Sequence, residues 1–335
     1  MPPVSVAAEP KEKRKKKTRN VFRIWLEFIP FWLFYILIRA LPLNAASGLS
    51  RLLFKLIFTI DKRHRTRAIR HLLHAGITAV EQEAADIARR VYDNFSQLLV
   101  EIIKMSQLYS PEKVGLAGSR ETMREVFDKD GKRINVIIIT AHYGNWEVAG
   151  TAYAEKTGNP MVSIMRPFGN PLIGKYILSN RESSIHQSIP KEGGIKGLLK
   201  ALKEGKTIAI LADQHAGSSE GVETVFFGQS CRTHSSPALL HLKTGVPIMP
   251  EVTRRLDNNF NFEFVLGDLI RYTPTGNKEN DIKNVTQMYT TALEKLIAEQ
   301  PEQWMWVHRR WLNINRKKST NSYSAANSPA PETDF

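Results

Sequence analysis

Apolar residues run along this chain in two different rhythms. Ile134 to Thr140 reads Ile-Asn-Val-Ile-Ile-Ile-Thr, a short and nearly continuous apolar run of the kind that fills a strand buried on both faces. Met161 to Met165, Thr207 to Leu211, Val246 to Val252 and Phe260 to Leu266 read the same way. Between them the period lengthens to that of a helix. Glu81 to Lys104 places Ala84, Ile87, Ala88, Val91, Phe95, Leu98, Leu99 and Ile102 on one helical face. Gly194 to Lys203 and Asp281 to Ala298 are further helices, and residues 50 to 110 read as largely helical. Strands that alternate with helices predict an α/β fold, a mixed central sheet with helices on both faces. No internal repeat breaks that pattern.

The ends of the chain have a different character. Residues 1 to 20 are polar and basic, with Lys-Glu-Lys-Arg-Lys-Lys-Lys-Thr-Arg at Lys11 to Arg19. Runs like this are ordinarily solvated and disordered. Here an apolar, aromatic-rich stretch follows, Phe28 to Ile38, between Glu27 and Arg39. Basic residues beside such a stretch suit the anionic, cytoplasmic face of a membrane. The stretch is shorter than the roughly 20 residues a span requires. Ile24 to Leu43 crosses if Glu27 and Arg39 reach the headgroups, and otherwise lies in the interface. Leu52 to Phe58 is a second apolar stretch. The long basic lead, with no small-residue cleavage site after the apolar stretch, argues against a cleaved signal peptide. The predicted organisation is a disordered basic N-terminus at 1–20, an anchoring helical segment at 21–60, an enzyme domain at 61–316 and a disordered Ser-, Asn- and Pro-rich tail at 317–335.

Composition narrows the chemistry. The 335 residues carry a net charge of +14, so an acidic partner or surface is expected. The one cysteine, Cys231, excludes an intramolecular disulfide and a cysteine-rich metal site, and reads as a small buried thiol. Nine histidines raise the question of metal, but none stands in a metal-binding spacing. No metal and no cofactor are expected. No basic helix carries interleaved stacking aromatics, which speaks against nucleic acid.

The densest chemistry follows the Ile134–Thr140 run, in Ala141-His142-Tyr143-Gly144-Asn145-Trp146-Glu147. A histidine titrates near neutrality and can take a proton from a hydroxyl, and a carboxylate on its second ring nitrogen fixes the tautomer. Five residues turn about 500° in a helix, so His142 and Glu147 do not share a helical face. The spacing fits a strand end, a turn at Gly144-Asn145 and the first turn of a helix. Arg166 and the Asp213-Gln214 pair also follow apolar runs, where α/β sheets carry their sites. Arg166 suits a phosphate. Asp213 and Gln214 either bind substrate or cap a turn, and Gly193-Gly194 either presents backbone N–H groups to an anion or forms a plain turn. Trp304, Trp306 and Trp311 suit packing or interfacial anchoring. No serine or cysteine sits in a nucleophile-elbow setting.

His142-Tyr143-Gly144-Asn145-Trp146-Glu147 resembles the first motif of the bacterial lipid A late acyltransferases, within the lysophospholipid acyltransferase superfamily. More blocks follow in the family's order: Met165-Arg166-Pro167 with Asn170-Pro171, Gly193-Gly194, Asp213-Gln214, Phe226-Phe227-Gly228, Gly245 to Pro250, and Pro301 to Trp311. The resemblance spans roughly residues 20 to 315. His215 departs from it, standing where an acidic or small polar residue is more usual. The resemblance implies a glycerolipid-acyltransferase-like fold and an O-acyltransferase on the cytoplasmic face of the inner membrane. It makes His142 the general base and Glu147 its orienting partner. It adds Asn145, Arg166, Gly193, Gly194, Asp213 and Gln214 as substrate-binding residues. The donor it implies is an acyl thioester, on acyl carrier protein or as acyl-CoA, and the acceptor a hydroxyl of a lipid A precursor. Other acceptors are a glycerophospholipid, an aminolipid or a phosphatidylinositol mannoside. A non-catalytic basic membrane- or nucleic-acid-binding protein is the reading outside the enzyme class.

Overall fold

A computed structural model describes residues 20–127, 134–165, 168–181, 185–191 and 193–312. The basic run at Lys11 to Arg19, the tail from 313 onward, Arg166 and Pro167 lie outside the described residues. Four helices come first: α1 (Val21–Ala40), α2 (Leu43–Ile60), α3 (Lys62–His74) and α4 (Glu81–Leu108). The α/β part follows as β1 (Val114–Ala117), α5 (Arg120–Phe127), β2 (Ile137–Thr140), α6 (Trp146–Thr157), β3 (Met161–Met165), α7 (Pro171–Arg181), β4 (His186–Pro190), α8 (Gly194–Lys203) and β5 (Thr207–Leu211). The chain closes with β6 (Gly221–Phe226), β7 (Gln229–His234), α9 (Ser236–Thr244), β8 (Ile248–Arg255), β9 (Phe262–Leu266) and α10 (Lys278–Ala298).

Seven strands form one sheet in the order β1-β9-β8-β2-β5-β3-β4. All neighbours are parallel except β8 and β9, which are antiparallel. The predicted mixed sheet with helices on both faces is therefore observed. Its centre explains the unbroken apolar run. Ile137 and Ile139 of β2 point into the larger core with Ile208, Ile210, Leu198 and the α10 residues Tyr289 and Leu293. Ile138 points into a second core with Met249, Phe264 and the α6 residues Val148 and Ala152. Such a strand has no solvent face, so alternation disappears. The apolar runs at β3 and β5 begin and end where predicted. The pattern left β1, β4 and the β6–β7 hairpin unassigned. The hairpin turns at Phe227 and Gly228, both with positive φ (50° and 67°), which is the backbone of a tight two-residue turn.

The N-terminal helices are more regular than the sequence suggests. α1 is one continuous helix through Pro30, begun by the Asn20 side chain accepting from Phe22 N–H. Twenty residues at about 1.5 Å each reach about 30 Å, the thickness of a bilayer core. Among the described residues α1 and α2 are the helices long and apolar enough to cross a membrane. α1 turns Phe22, Trp25, Leu26, Ile29, Leu33 and Leu37 to solvent, while Ile38 packs with Ala46, Val100 and Ile103 against α2 and α4. A row of large exposed apolar residues on a helix that is otherwise docked suits a membrane surface. The α1 helix is also tied to the site side of the fold. Asn170 Nδ2 donates to the Ile24 carbonyl at 2.9 Å, and Phe28 packs on Tyr176 of α7.

One carboxyl is held inside the sheet. Glu251 on β8 is fully buried, with Thr253 Oγ1 donating to it at 2.6 Å. Burial pushes its carboxyl up to about 7, against the pull of the hydroxyls of Thr253 and Thr140. The folded protein then holds a proton that the unfolded chain releases near the ordinary glutamate value. Stability from this group is present at low pH and is lost as pH rises between about 4.5 and about 7.

Two outcomes follow from this architecture. Glu251→Gln removes the proton linkage, so its Tm should exceed wild type at pH 8, by about 2–4 °C per kcal/mol released, with the excess nearly gone at about pH 4. Thermal melts at the two pH values check this, and equal differences at both would contradict it. Leu26 and Leu33 are 63% and 57% exposed, so Leu26→Ser with Leu33→Ser should leave Tm unchanged. Partition into anionic vesicles should fall, by roughly tenfold or more for each leucine that buries fully in lipid. Unchanged vesicle partition at constant salt would show that these residues do not meet the membrane.

Candidate active site

The site begins where β2 and β5 end. They are parallel, with Thr140 in register with Leu211, and Ala212 N–H donates to the Thr140 carbonyl at 3.1 Å. His142 and Asp213 are each two residues beyond that pair, so the two strands deliver them side by side. Asp213 Oδ1 lies 2.9 Å from His142 Nδ1, and Oδ2 accepts the His142 backbone N–H at 2.9 Å. Trp304 Nε1–H donates to the same Oδ2 at 2.8 Å. Burial opposes charge on Asp213, but the adjoining His142 and the N–H donors of His142 and Trp304 outweigh it and hold the carboxyl at about 2. Asp213 is thus a carboxylate at neutral pH. It fixes Nδ1 as the donor side of the ring and leaves Nε2 to act as a base.

The carboxylate observed on His142 Nδ1 belongs to Asp213, which the sequence reading gave to substrate. Glu147 stands on the helix that follows the motif. After the Gly144-Asn145 turn, α6 starts at Trp146, and Glu147 is buried in its first turn. A negative charge there is favoured by the helix N-terminus. Glu147 lines an inner, mostly apolar cavity of about 70 Å³ beneath α6, which Glu251 also borders. His142 instead lines an outer cavity of about 450 Å³. Ile164, Ile210, Leu211 and Trp146 border both cavities. Trp146 stands edge-on to the His142 ring at 5.1 Å. The outer cavity has a polar side, with Gln214, Lys191, Glu220, His234, Ser235 and Ser236, and an apolar side that includes Phe168, Ile195 and Leu239.

The remaining predicted residues separate into two groups. Gln214 borders the outer cavity, its amide nitrogen 3.4 Å from both ring nitrogens of His142. Its backbone carbonyl accepts from the buried Arg310. Asn145 does not border the outer cavity. Its Oδ1 accepts from Glu147 N–H and Val148 N–H, capping α6, and its Nδ2 donates to Glu101 at 3.0 Å. Both ends of its amide are used inside the protein. Gly193 is the left-handed residue before α8, and Gly194 N–H donates to the Lys191 carbonyl. A side chain at Gly194 would stand 2.8 Å from Ile164 Cδ1. The neighbours Lys191 and Ile195, rather than the two glycines, line the outer cavity. Arg166 lies outside the described residues.

The closing signature does more than pack. Trp304, Trp306 and Trp311 are buried in the larger core, so they are not interfacial anchors. Trp304 also holds Asp213, a role its indole N–H allows and its position 91 residues away conceals. The segment pairs with the histidine motif through the backbone: Met305 N–H donates to the His142 carbonyl at 3.1 Å, and Gly144 N–H to the Gln303 carbonyl at 3.0 Å. Gly144 has φ +53°, and a side chain there would stand 2.0 Å from the Thr253 carbonyl. Only glycine allows that approach. Arg310 is fully buried over the face of Phe226, and Arg309 is exposed. Cys231 is a buried free thiol.

Comparison with known proteins agrees with this geometry. The lipid A biosynthesis lauroyltransferase of Escherichia coli K12 is 23% identical over 290 residues, covering 86% of this chain and 92% of that protein. The lipid A biosynthesis acyltransferase of Haemophilus influenzae is 22% identical over 288 residues, 85% of this chain and 86% of its own length. A phosphatidylinositol mannoside acyltransferase of Mycobacterium tuberculosis is 24% identical over 183 residues, 53% of this chain and 55% of that protein. The family model for bacterial lipid A biosynthesis acyltransferases matches residues 12–313. With a histidine–carboxylate pair at the strand ends and a match over nearly its whole length, this chain belongs to the bacterial lipid A biosynthesis acyltransferase family and is an enzyme that transfers acyl groups.

Proposed function

We propose that the enzyme moves a fatty acyl chain from a thioester to a hydroxyl of a lipid A precursor, at the cytoplasmic face of the inner membrane. The observation that carries this reading is the His142–Asp213 pair opening on a half-polar cavity that shares a wall with an apolar one. The outer cavity suits the acceptor hydroxyl and the thioester head, and the inner one suits hydrocarbon. His142 Nε2 takes the proton of the hydroxyl as its oxygen attacks the thioester carbonyl carbon. The carbon–sulfur bond then breaks, and the thiolate leaves with the proton that His142 returns. Asp213 holds the ring and balances its charge through both steps. The Gln214 amide is placed to donate to the carbonyl oxygen as charge develops there. Glu147, from the first turn of α6, faces the same reaction zone from the inner cavity. No acyl-enzyme is needed.

The family model and two long matches favour a lipid A precursor over a mannoside. Two lipid A relatives match 85% or more of this chain, while two others and the mannoside relative match about half of it. The net charge of +14 suits acyl carrier protein, an acidic donor, and an anionic lipid surface. Arg166 fits a phosphate on the acceptor.

Asp213→Asn keeps the shape but not the charge that fixes the tautomer. It should lower kcat by roughly 10³- to 10⁴-fold with the fold intact, and Asp213→Asn with His142→Ala should lose little more than His142→Ala alone. Normal turnover in either single variant would exclude the pair as the catalytic unit. The acceptor is tested by mass spectrometry. Purified enzyme with acyl carrier protein thioester should add one acyl chain to a phosphorylated glucosamine disaccharide lipid. Acylation of phosphatidylinositol mannoside or glycerophospholipid in its place would overturn the acceptor reading while leaving the acyltransferase intact.

A further inference from the structure

A second polar cluster lies behind the histidine motif, away from both cavities. Arg255, at the end of β8, forms a two-pronged ion pair with Glu101 of α4, Nε to Oε1 at 2.5 Å and Nη2 to Oε2 at 2.6 Å. Both side chains are at most 7% exposed. Arg255 also donates to Asn94 of α4, and Nη2 lies 3.5 Å from the Gly144 carbonyl. The Arg255 backbone is clasped by Gln303, whose Oε1 accepts its N–H at 2.8 Å and whose Nε2 donates to its carbonyl at 3.0 Å. Asn94 Nδ2 closes the ring on the Gln303 carbonyl, which also accepts from Gly144 N–H.

The cluster meets the histidine turn at the backbone of Gly144 and, through a side chain, at Asn145. Glu101 Oε2 takes the Asn145 amide N–H at 3.0 Å, which turns Oδ1 of the same amide to the first N–H groups of α6. Asn145 N–H meanwhile donates to the Thr253 carbonyl at 3.2 Å. His142 is three residues before Asn145 and Glu147 two residues after it. The amide is therefore the pivot about which the histidine turn and the start of α6 are set. A buried ion pair adds little to stability over well-packed apolar residues of similar size. What apolar residues cannot supply is a directed acceptor for the Asn145 N–H.

We propose that Glu101 and Arg255 are positioning residues for the reaction, acting through Asn145 on His142 and Glu147. This rests on the reading of His142 as the base. Neither residue borders the inner or the outer cavity, which separates both from the substrate space proposed above. Loss of the anchor should let the turn shift by a fraction of an ångström to an ångström, a displacement that costs roughly a hundredfold in rate.

The test pairs two kinds of variant in the full-length enzyme, with an acyl thioester and a lipid acceptor. Glu101→Leu with Arg255→Met replaces the pair by apolar bulk. It should melt within a few degrees of wild type, lower kcat roughly a hundredfold and leave both KM values within about twofold. Asn145→Ser keeps the cap on α6 but loses the donor to Glu101, so it is the variant least able to unfold the protein. It should lower kcat in the wild-type background. Added to the Glu101→Leu, Arg255→Met double variant it should have little further effect, because the link is already cut. Wild-type kcat in Asn145→Ser, or losses that multiply in the combined variant, would overturn the proposal. Equal rises in KM with kcat unchanged would assign the cluster to substrate binding instead and overturn it too. Failure of the underlying reading looks different, since His142→Ala would then keep its activity whatever these variants do.

Discussion

One buried carboxylate sets the geometry of this enzyme. Asp213 accepts three N–H groups, the His142 backbone, the His142 ring and the Trp304 indole. Those donors come from distant parts of the chain. They converge because β2 and β5 are parallel neighbours whose last paired residues, Thr140 and Leu211, stand level. A lone carboxylate buried this deeply would take up a proton. Three donors keep it charged instead, so the same bonds that close the fold prepare the histidine. Cutting any one of them therefore disturbs structure and chemistry together.

The central sheet turns that local arrangement into a divided site. Its strands are buried on both faces, so side chains beyond the strand ends can reach the α6 face or the α8 and α9 side. Glu147 and Glu251 lie toward the first, around a small apolar cavity. His142, Gln214 and Lys191 lie toward the second, around a larger cavity of mixed lining. Trp146 stands at the boundary and touches the His142 ring. The function proposed above uses such a division, with an apolar cavity beside the one that His142 lines. The membrane side of the molecule joins the same region. Asn170 and Tyr176 of the α7 region bind α1, and Phe168, just before α7, lines the outer cavity. The helix that carries exposed apolar residues is thus bolted to the rim of the site.

Much of this was legible in the sequence because it follows from short-range rules. Apolar runs located β3 and β5 to the residue, since strands buried on both faces write themselves as unbroken runs. The strand–turn–helix context of His142 followed from Gly144-Asn145 and from Glu147 in a first helical turn. β1 and β4 were missed because Val-Gly-Leu-Ala and His-Gln-Ser-Ile-Pro are short and half polar at the sheet edges. The contact of Asp213 with His142 was missed for another reason. Sequence spacing offers the nearest carboxylate, and Glu147 is nearest. Strand order decides that Asp213, 71 residues on, meets Nδ1. The information was present, since both residues follow strand ends by two positions, but only the pairing of β2 with β5 makes that coincidence meaningful. Trp304, Glu101 and Arg255 carried no local signal at all.

The last constraint concerns how rigidity is distributed. Buried polar groups are costly unless fully paired, and several paired ones surround one turn, Tyr143 to Trp146. Asp213 and Trp304 hold it from one side, and Glu101, Arg255 and Gln303 from the other. Gly144 lets the Thr253 carbonyl press against it. A histidine that must be ready before substrate arrives cannot depend on substrate to order it. The turn is fastened to α4, to β8 and to the closing segment, which also pack together in the larger core. The apolar cores could fold the sheet without these bonds. Their common direction, toward the backbone around His142, is what the positioning role proposed for Glu101 and Arg255 rests on.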